Sequence, residues 1–179
     1  MIRSLSVKQL PSHLDLSIIF NATASHLTSL SLNYGMKNVE MDYDRSLFGM
    51  KLSDCRSLAK ALEQTETLTH LSLSSNLLDD DMACMLASCF VDNISVIHLY
   101  LSDNRIADRG IRALAKVLDA SSVICYLDLY DNQIATEGGR ALAKALRSNV
   151  GLLSLNLRLN RIGDEVSTNS SISFLPLNG

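Results

Sequence analysis

A motif that recurs every 28 residues constrains this chain more than any other feature. Four segments start at residues 68, 96, 124 and 152 and read LTHLSLSSNLL, VIHLYLSDNRI, ICYLDLYDNQI and LLSLNLRLNRI. Each has apolar residues at its first, fourth, sixth and last positions and an asparagine at its ninth. A fixed period of this length is typical of a solenoid, in which each unit closes a core only together with its neighbours.

The repeat also explains why 32 of the 179 residues are leucine. A membrane span would need about 18 uninterrupted apolar residues, and the sequence has no such run. The N-terminal residues lack the compact apolar region of a signal peptide. The net charge of −3 is too balanced to indicate a nucleic-acid or membrane surface. The four cysteines form no Cys-x-x-Cys pair, so we interpret them as reduced thiols of an intracellular protein without a metal site.

Each unit is predicted to begin with a short strand. Side chains alternate between the two faces of a strand, so Leu71 and Leu73 both point into the core. The asparagine that follows carries donors and acceptors on one amide, which suits it to backbone groups where the chain leaves the strand. Stacked units predict a buried asparagine ladder formed by Asn76, Asn104, Asn132 and Asn160.

A helix is predicted to complete each unit. Two apolar columns lie four residues apart, on one helix face; they are Leu58, Leu86, Leu114 and Leu142, and Leu62, Phe90, Leu118 and Leu146. Small residues between them would let neighbouring helices approach; they are Ala59, Ala87, Ala115 and Ala143. A further column has good helix N-cap residues, namely Asp80, Asp108, Thr136 and Asp164. The pattern predicts an α/β solenoid of about 5–6 repeats, with parallel strands on the concave face and helices on the convex face.

Both ends of the array are irregular. Residues 1–67 are predicted to hold degenerate repeats with strands around Leu5 and Leu30, and with an insertion at residues 34–50. Gly35 stands where the ladder asparagine should be, so the ladder is expected to break there. Regular repeats fill residues 68–166, and residues 167–179 form a serine-rich tail without helical periodicity. We interpret the chain as a piece of a longer array, an alternative product, or a protein that docks its open ends on partners.

The residues between the core leucines are expected to project from the concave face. Tyrosines clustered with charged groups there suit a protein contact, although ordinary polar residues on a sheet face explain them equally well. The candidate interaction residues are His70, His98, Tyr100, Tyr126, Asp128, Tyr130, Asn156 and Arg158.

The helices are predicted to carry a basic stripe. The stripe could meet an acidic partner, although a solvated helix face is the simpler interpretation; it comprises Arg56, Arg112 and Arg140, and Lys60, Lys116 and Lys144.

The sequence contains no motif for catalysis: no glycine-rich phosphate loop or Gly-x-Ser-x-Gly motif occurs. His70 and His98 with Asp128 resemble an acid–base pair only loosely, since repeat stacking explains their spacing. We therefore predict a protein without catalytic residues, cofactor, metal or small-molecule substrate.

The period and the helix in each unit resemble the ribonuclease-inhibitor-like class of leucine-rich repeats. The irregular parts, LPSHLDLSIIF (10–20), LTSLSLNYGMKN (27–38), LFGMKLSDCRSLAKAL (47–62) and LLSLNLRLNRIGDE (152–165), resemble the family of dynein regulatory complex subunit five, also called T-complex-associated testis-expressed protein one. The Tyr34-Gly35-Met36 segment is the most specific part of that likeness.

The resemblance implies a non-catalytic subunit of the nexin–dynein regulatory complex in the axoneme of motile cilia and flagella. That complex links neighbouring doublet microtubules and tunes dynein-driven sliding. The implied partners are other subunits of the complex and axonemal proteins, with the doublet microtubule as a further candidate. Two alternatives stay open: a GTPase-activating leucine-rich-repeat protein, and a soluble cytosolic inhibitor or sensor scaffold.

Overall fold

Strands and helices alternate along the part of the chain that the computed structural model describes, residues 2–8, 10, 16–23, 26–35 and 48–163. The strands are β1 (Ser4–Lys8), β2 (Ser29–Asn33), β3 (His70–Ser72), β4 (His98–Tyr100), β5 (Tyr126–Asp128) and β6 (Ser154–Asn156). The helices are α1 (Leu16–Thr23), α2 (Leu52–Leu62), α3 (Asp80–Phe90), α4 (Asp108–Ala120) and α5 (Thr136–Ala145).

The strands form one parallel sheet in the order in which they occur in the sequence. Leu71, Leu99, Leu127 and Leu155 pair in register across β3 to β6. β1 pairs with β2, which confirms the degenerate first strand predicted around Leu5. The predicted α/β leucine-rich-repeat solenoid is therefore confirmed. The predicted boundary between repeats and tail, at residue 166, lies outside the described residues.

The helices cover one face of the sheet through their apolar stripes. In α4 the buried side chains recur at helical spacing and include Ile111, Leu114 and Leu118, whereas Arg112 and Lys116 are exposed. Consecutive helices pack side by side from α1 to α5. The predicted small residues contribute to this packing, because Ala87 and Ala115 are both buried.

The predicted ladder asparagines hydrogen-bond to the backbone, and Asn76, Asn104 and Asn132 are buried whereas Asn160 is half-buried. Oδ1 of Asn104 accepts hydrogen bonds from the backbone N–H groups of Asn76 and Leu78, both at 3.0 Å. Its Nδ2 donates to the carbonyls of Leu73 and Leu101 at 3.1 and 2.9 Å. At Asn132 and Asn160 the amide likewise donates to carbonyls of both repeats, and its Oδ1 accepts from one N–H of the preceding repeat. Each amide therefore satisfies backbone groups of its own repeat and of the repeat before it.

The prediction that Asp80 and Asp108 cap their own helices is wrong. Asp80 and Asp108 are the first residues of α3 and α4, and the N-cap of α3 is Asp79, whose carboxylate accepts from Met82 N–H at 3.0 Å. Asp80 instead reaches the next repeat, where its Oδ1 accepts from Ala107 N–H and Gly110 N–H, both at 2.8 Å. Asp108 does the same for the start of α5. These residues therefore cap the helix of the following repeat, because stacking brings its N-terminus within reach.

Candidate functional site

The strand register brings the predicted concave-face residues together in columns. His70, His98, Tyr126 and Ser154 pair along one column, at the first residue of β3 to β6. The second column, two residues further along each strand, contains Ser72, Tyr100, Asp128 and Asn156. All of these side chains are exposed or half-buried. The face of the sheet opposite the helices, called the concave face below, therefore carries the predicted residues at its surface.

Three rings of the first column form a stack. The centroids of His70 and His98 lie 4.0 Å apart with planes 7° from parallel. Those of His98 and Tyr126 lie 4.2 Å apart with planes 3° from parallel. The ring of Tyr100 lies 6.4 Å from His98. Parallel strands are about 4.8 Å apart, so rings at equivalent positions stack without distortion.

The electrostatics of the stack favour the neutral form of His98. Burial, and then the nearby His70, lower the pKa of His98 below its usual value. No described residue bonds to Nδ1 of His98, whereas Nδ1 of His70 lies 2.8 Å from Oγ1 of Thr69. Within residues 48–163 no hydrogen bond joins either imidazole to Asp128, so the loose acid–base resemblance has no geometric counterpart there.

Asp128 and Asn156 each accept a hydrogen bond from the backbone N–H group two residues later. Oδ1 of Asp128 accepts from Tyr130 N–H at 3.0 Å, and Oδ1 of Asn156 accepts from Arg158 N–H at 3.2 Å. Two residues beyond the second column, the Ser102 hydroxyl donates to Oγ of Ser74 at 2.8 Å. The concave face thus presents tyrosine rings, a carboxylate and an amide at its surface.

A second polar column was missed by the sequence analysis. Asn93 is buried, its Nδ2 donates to Leu62 O at 2.9 Å, and its Oδ1 accepts from Val96 N–H at 2.9 Å. Asn149 makes equivalent bonds to Leu118 O and Leu152 N–H. Both side chains join the end of one helix to the loop that enters the next strand. Their spacing of two periods was the available signal, although Ser121 interrupts the column.

Tyr34, the first residue of the predicted insertion, belongs to the core. Its side chain is only 2% exposed, and its backbone N–H donates to Oδ1 of Asn76 at 2.7 Å. This bond makes Tyr34 part of the repeat core. Burial, followed by the charges of Asp54 and Cys55, raises the pKa of its phenol. Gly49 N–H donates to Tyr34 O at 2.9 Å. Residues 36–47 of the predicted insertion lie outside the described part.

The predicted basic stripe lies at the surface of the helices. Its members on α2, α4 and α5 are all exposed, namely Arg56, Lys60, Arg112, Lys116, Arg140 and Lys144. Cys84 and Ser88 occupy the equivalent positions of α3, so the stripe is interrupted there. Arg140 also pairs with Glu137 at 2.7 Å.

The described residues contain neither a membrane-spanning helix nor a cluster of metal-binding side chains. No helix there combines the length and hydropathy that crossing a bilayer requires. No group of three or more histidine, cysteine, aspartate or glutamate side chains there could hold a metal ion. The four cysteines are free thiols.

Comparison with known proteins supports the repeat architecture. The family described as "Leucine Rich repeat" matches residues 92–115, 124–143 and 148–165. Among solved structures, the chain is similar to the leiomodin-1 actin-binding site 2, with a TM-score of 0.59 and 22% identity over 67% of this chain and 71% of that chain. It is also similar to a tropomodulin C-terminal domain from Caenorhabditis elegans, with a TM-score of 0.57 and 16% identity over 65% and 70% of the two chains. At these identities the likeness shows the fold alone.

Curated relatives share one name. Dynein regulatory complex subunit 5 of Chlamydomonas reinhardtii is 64% identical over 84 residues, which are 47% of this chain and 22% of that protein. The human protein of the same name is 39% identical over 72 residues, which are 40% of this chain and 14% of that protein. The chain therefore contains leucine-rich repeats and is similar to a part, well under two thirds, of these longer proteins.

Proposed function

We propose that this leucine-rich-repeat chain is a structural, protein-interaction subunit of the dynein regulatory complex in the axoneme of motile cilia and flagella. There it helps to regulate dynein-driven sliding of microtubules. The observation that carries this proposal is the 64% identity over 84 residues to a relative named as a subunit of that complex. The human relative of the same name supports it at lower identity.

The proposed partners are other subunits of the complex and axonemal proteins, bound mainly through the concave face. Its ring stack and Asp128 offer the rigid aromatic and charged groups that dominate binding energy in protein interfaces. The exposed basic stripe of the helices gives a second surface, for which the acidic doublet microtubule is the proposed partner.

Expression of the tagged chain in Chlamydomonas reinhardtii tests the proposal. We expect the tag to remain with detergent-extracted axonemes and to cross-link to other subunits of the complex. A tag found only in the soluble fraction, or cross-linked away from the link between doublets, would overturn the proposal. Binding to a soluble ligand without ciliary association would favour the inhibitor or sensor alternative, and stimulated GTP hydrolysis would favour the GTPase activator.

Two variants separate the surfaces in that experiment. Tyr126→Ser with Asp128→Asn alters the concave face, whereas Arg112→Gln with Lys116→Gln alters the helix face. Both pairs change exposed or half-buried side chains, so the core leucines stay intact. We expect the concave pair to reduce axonemal retention more than the helix pair does.

A further inference from the structure

The ring stack of the concave face ends at a serine on each side. His70 pairs with Ser29 of β2, and Tyr126 pairs with Ser154 of β6. Tyr126 therefore has His98 against one face of its ring, and no ring of the described residues stacks on the other. The short Ser154 side chain leaves room beside that second face for a planar group from a partner.

One carboxylate lies next to this position on the same strand. Asp128 lies two residues after Tyr126 on β5, so both side chains project from the same sheet face. Its Oδ1 is held by Tyr130 N–H, and none of the described residues donates to its Oδ2. Asp103 follows β4 and Asp131 follows β5, and both are exposed. Arg158 forms no ion pair with them within the described part of the chain.

We propose that this corner of the concave face binds an arginine side chain of a protein partner. Its guanidinium stacks on the free face of Tyr126, above Ser154, and pairs with Oδ2 of Asp128. A guanidinium is planar and weakly hydrated, so it gains from stacking on a ring and from hydrogen bonding to a carboxylate at the same time. A lysine ammonium carries the same charge, but it lacks the flat surface that fits beside Tyr126.

The charge on the opposite side of the molecule favours the same occupant. Arg112, Lys116 and Lys144 are exposed on the helix face, and they repel a basic segment from it. The carboxylate of Asp128, on the same strand as Tyr126, attracts that segment. This inference deepens the proposed function and rests on it, since it gives the chemistry of the partner: a basic, arginine-containing protein segment.

Calorimetric titration of the whole chain with short synthetic peptides tests the proposal. One peptide carries several arginines spaced by serine, and its two counterparts carry lysine or glutamine instead. We expect the arginine peptide to bind more tightly than the lysine peptide and the glutamine peptide to show no binding. Tyr126→Ser should weaken arginine-peptide binding about threefold to tenfold and so remove the preference over lysine. Asp128→Asn should weaken binding of both basic peptides.

The matched control is Asp92→Asn, which removes an exposed carboxylate after α3, away from the stack. It should leave both affinities unchanged. Equal binding of the arginine and lysine peptides, no binding of either, or the same loss in Asp92→Asn as in Asp128→Asn would overturn the proposal. Tyr126→Leu, which keeps apolar bulk without an aromatic ring, replaces Tyr126→Ser if that variant does not fold, and it too should lose the preference for arginine. Axonemal retention of the unaltered chain is measured separately, so failure here does not decide the proposed function.

Discussion

At the scale of single residues, each ladder asparagine joins two repeats through one buried amide. Asn104→Ala would leave the backbone N–H groups of Asn76 and Leu78 without the acceptor that they now share. An unsatisfied buried donor costs about 1–3 kcal/mol, so we expect the free energy of unfolding to fall by about 3 kcal/mol. Urea unfolding followed by circular dichroism measures it. Asn160→Ala, at the half-buried last rung, should cost about 1 kcal/mol; an equal loss in both variants would contradict the ladder's role.

Two buried thiols are expected to lower the stability of the fold at alkaline pH. Burial, followed by nearby acidic groups, raises the pKa of Cys55 and of Cys89 from 9.0 to about 12. Unfolded thiols ionise above pH 9 while the folded ones stay protonated, so the unfolded state binds fewer protons there. The free energy of unfolding should therefore fall between pH 9 and 12, by up to about 1.4 kcal/mol per pH unit for each thiol.

The variant that tests this dependence is Cys55→Ala with Cys89→Ala, since alanine already occupies these columns at Ala83 and Ala61. In urea unfolding with reductant, its stability should fall less steeply above pH 9. Cys84→Ala, the control, keeps both buried thiols and should keep the steeper dependence. A slope identical in the double variant and the unaltered chain would show that other groups cause it.

At the scale of the element, helix starts depend on the preceding repeat. Asp80→Ala removes the acceptor of two N–H groups at the start of α4, so we expect a loss of about 1–2 kcal/mol. The amides of Ala107 and Gly110 should also exchange their hydrogens faster. Asp81→Ala is the control, because Asp81 pairs only with exposed Arg109 and should not measurably affect stability. Equal effects of both variants would argue against capping across repeats.

The same element shows what the sequence could and could not predict. The period-two leucines located the strands and the four-residue spacing located the buried helix faces, because both follow from geometry within one repeat. The partner of Asp80 depends on the distance between repeats, which residue preference does not contain. Gly110 is fitted to that distance, since a Cβ there would lie 2.7 Å from Oδ1 of Asp80. The sequence likewise does not show that Tyr34 is buried, because its place depends on a backbone bond to Asn76 of the next repeat.

At the scale of the whole molecule, the described strands form one sheet in which each interior strand has two neighbours and β6 has one. Leu99 and Leu155 occupy the same column; Leu99 is 0% exposed, whereas Leu155 is half-buried. A solenoid's stability is the sum of repeat terms and nearest-neighbour interface terms. A core leucine in an interior repeat therefore contributes to two interfaces, and a leucine in the last described repeat contributes to one.

This difference predicts unequal losses of stability for the same substitution at an interior and a terminal position of the column. Leu99→Ala should lower the free energy of unfolding by about 3 kcal/mol or more, and Leu155→Ala by about half as much. Urea unfolding of both variants, with hydrogen exchange read at the amides of β3 to β6, provides the comparison. Leu99→Ala should speed exchange on both sides of β4, because its loss weakens two interfaces, and Leu155→Ala should speed it in β5 and β6 alone. Equal costs with exchange confined to the altered repeat would mean that the repeats are stable separately, contrary to the shared core and ladder.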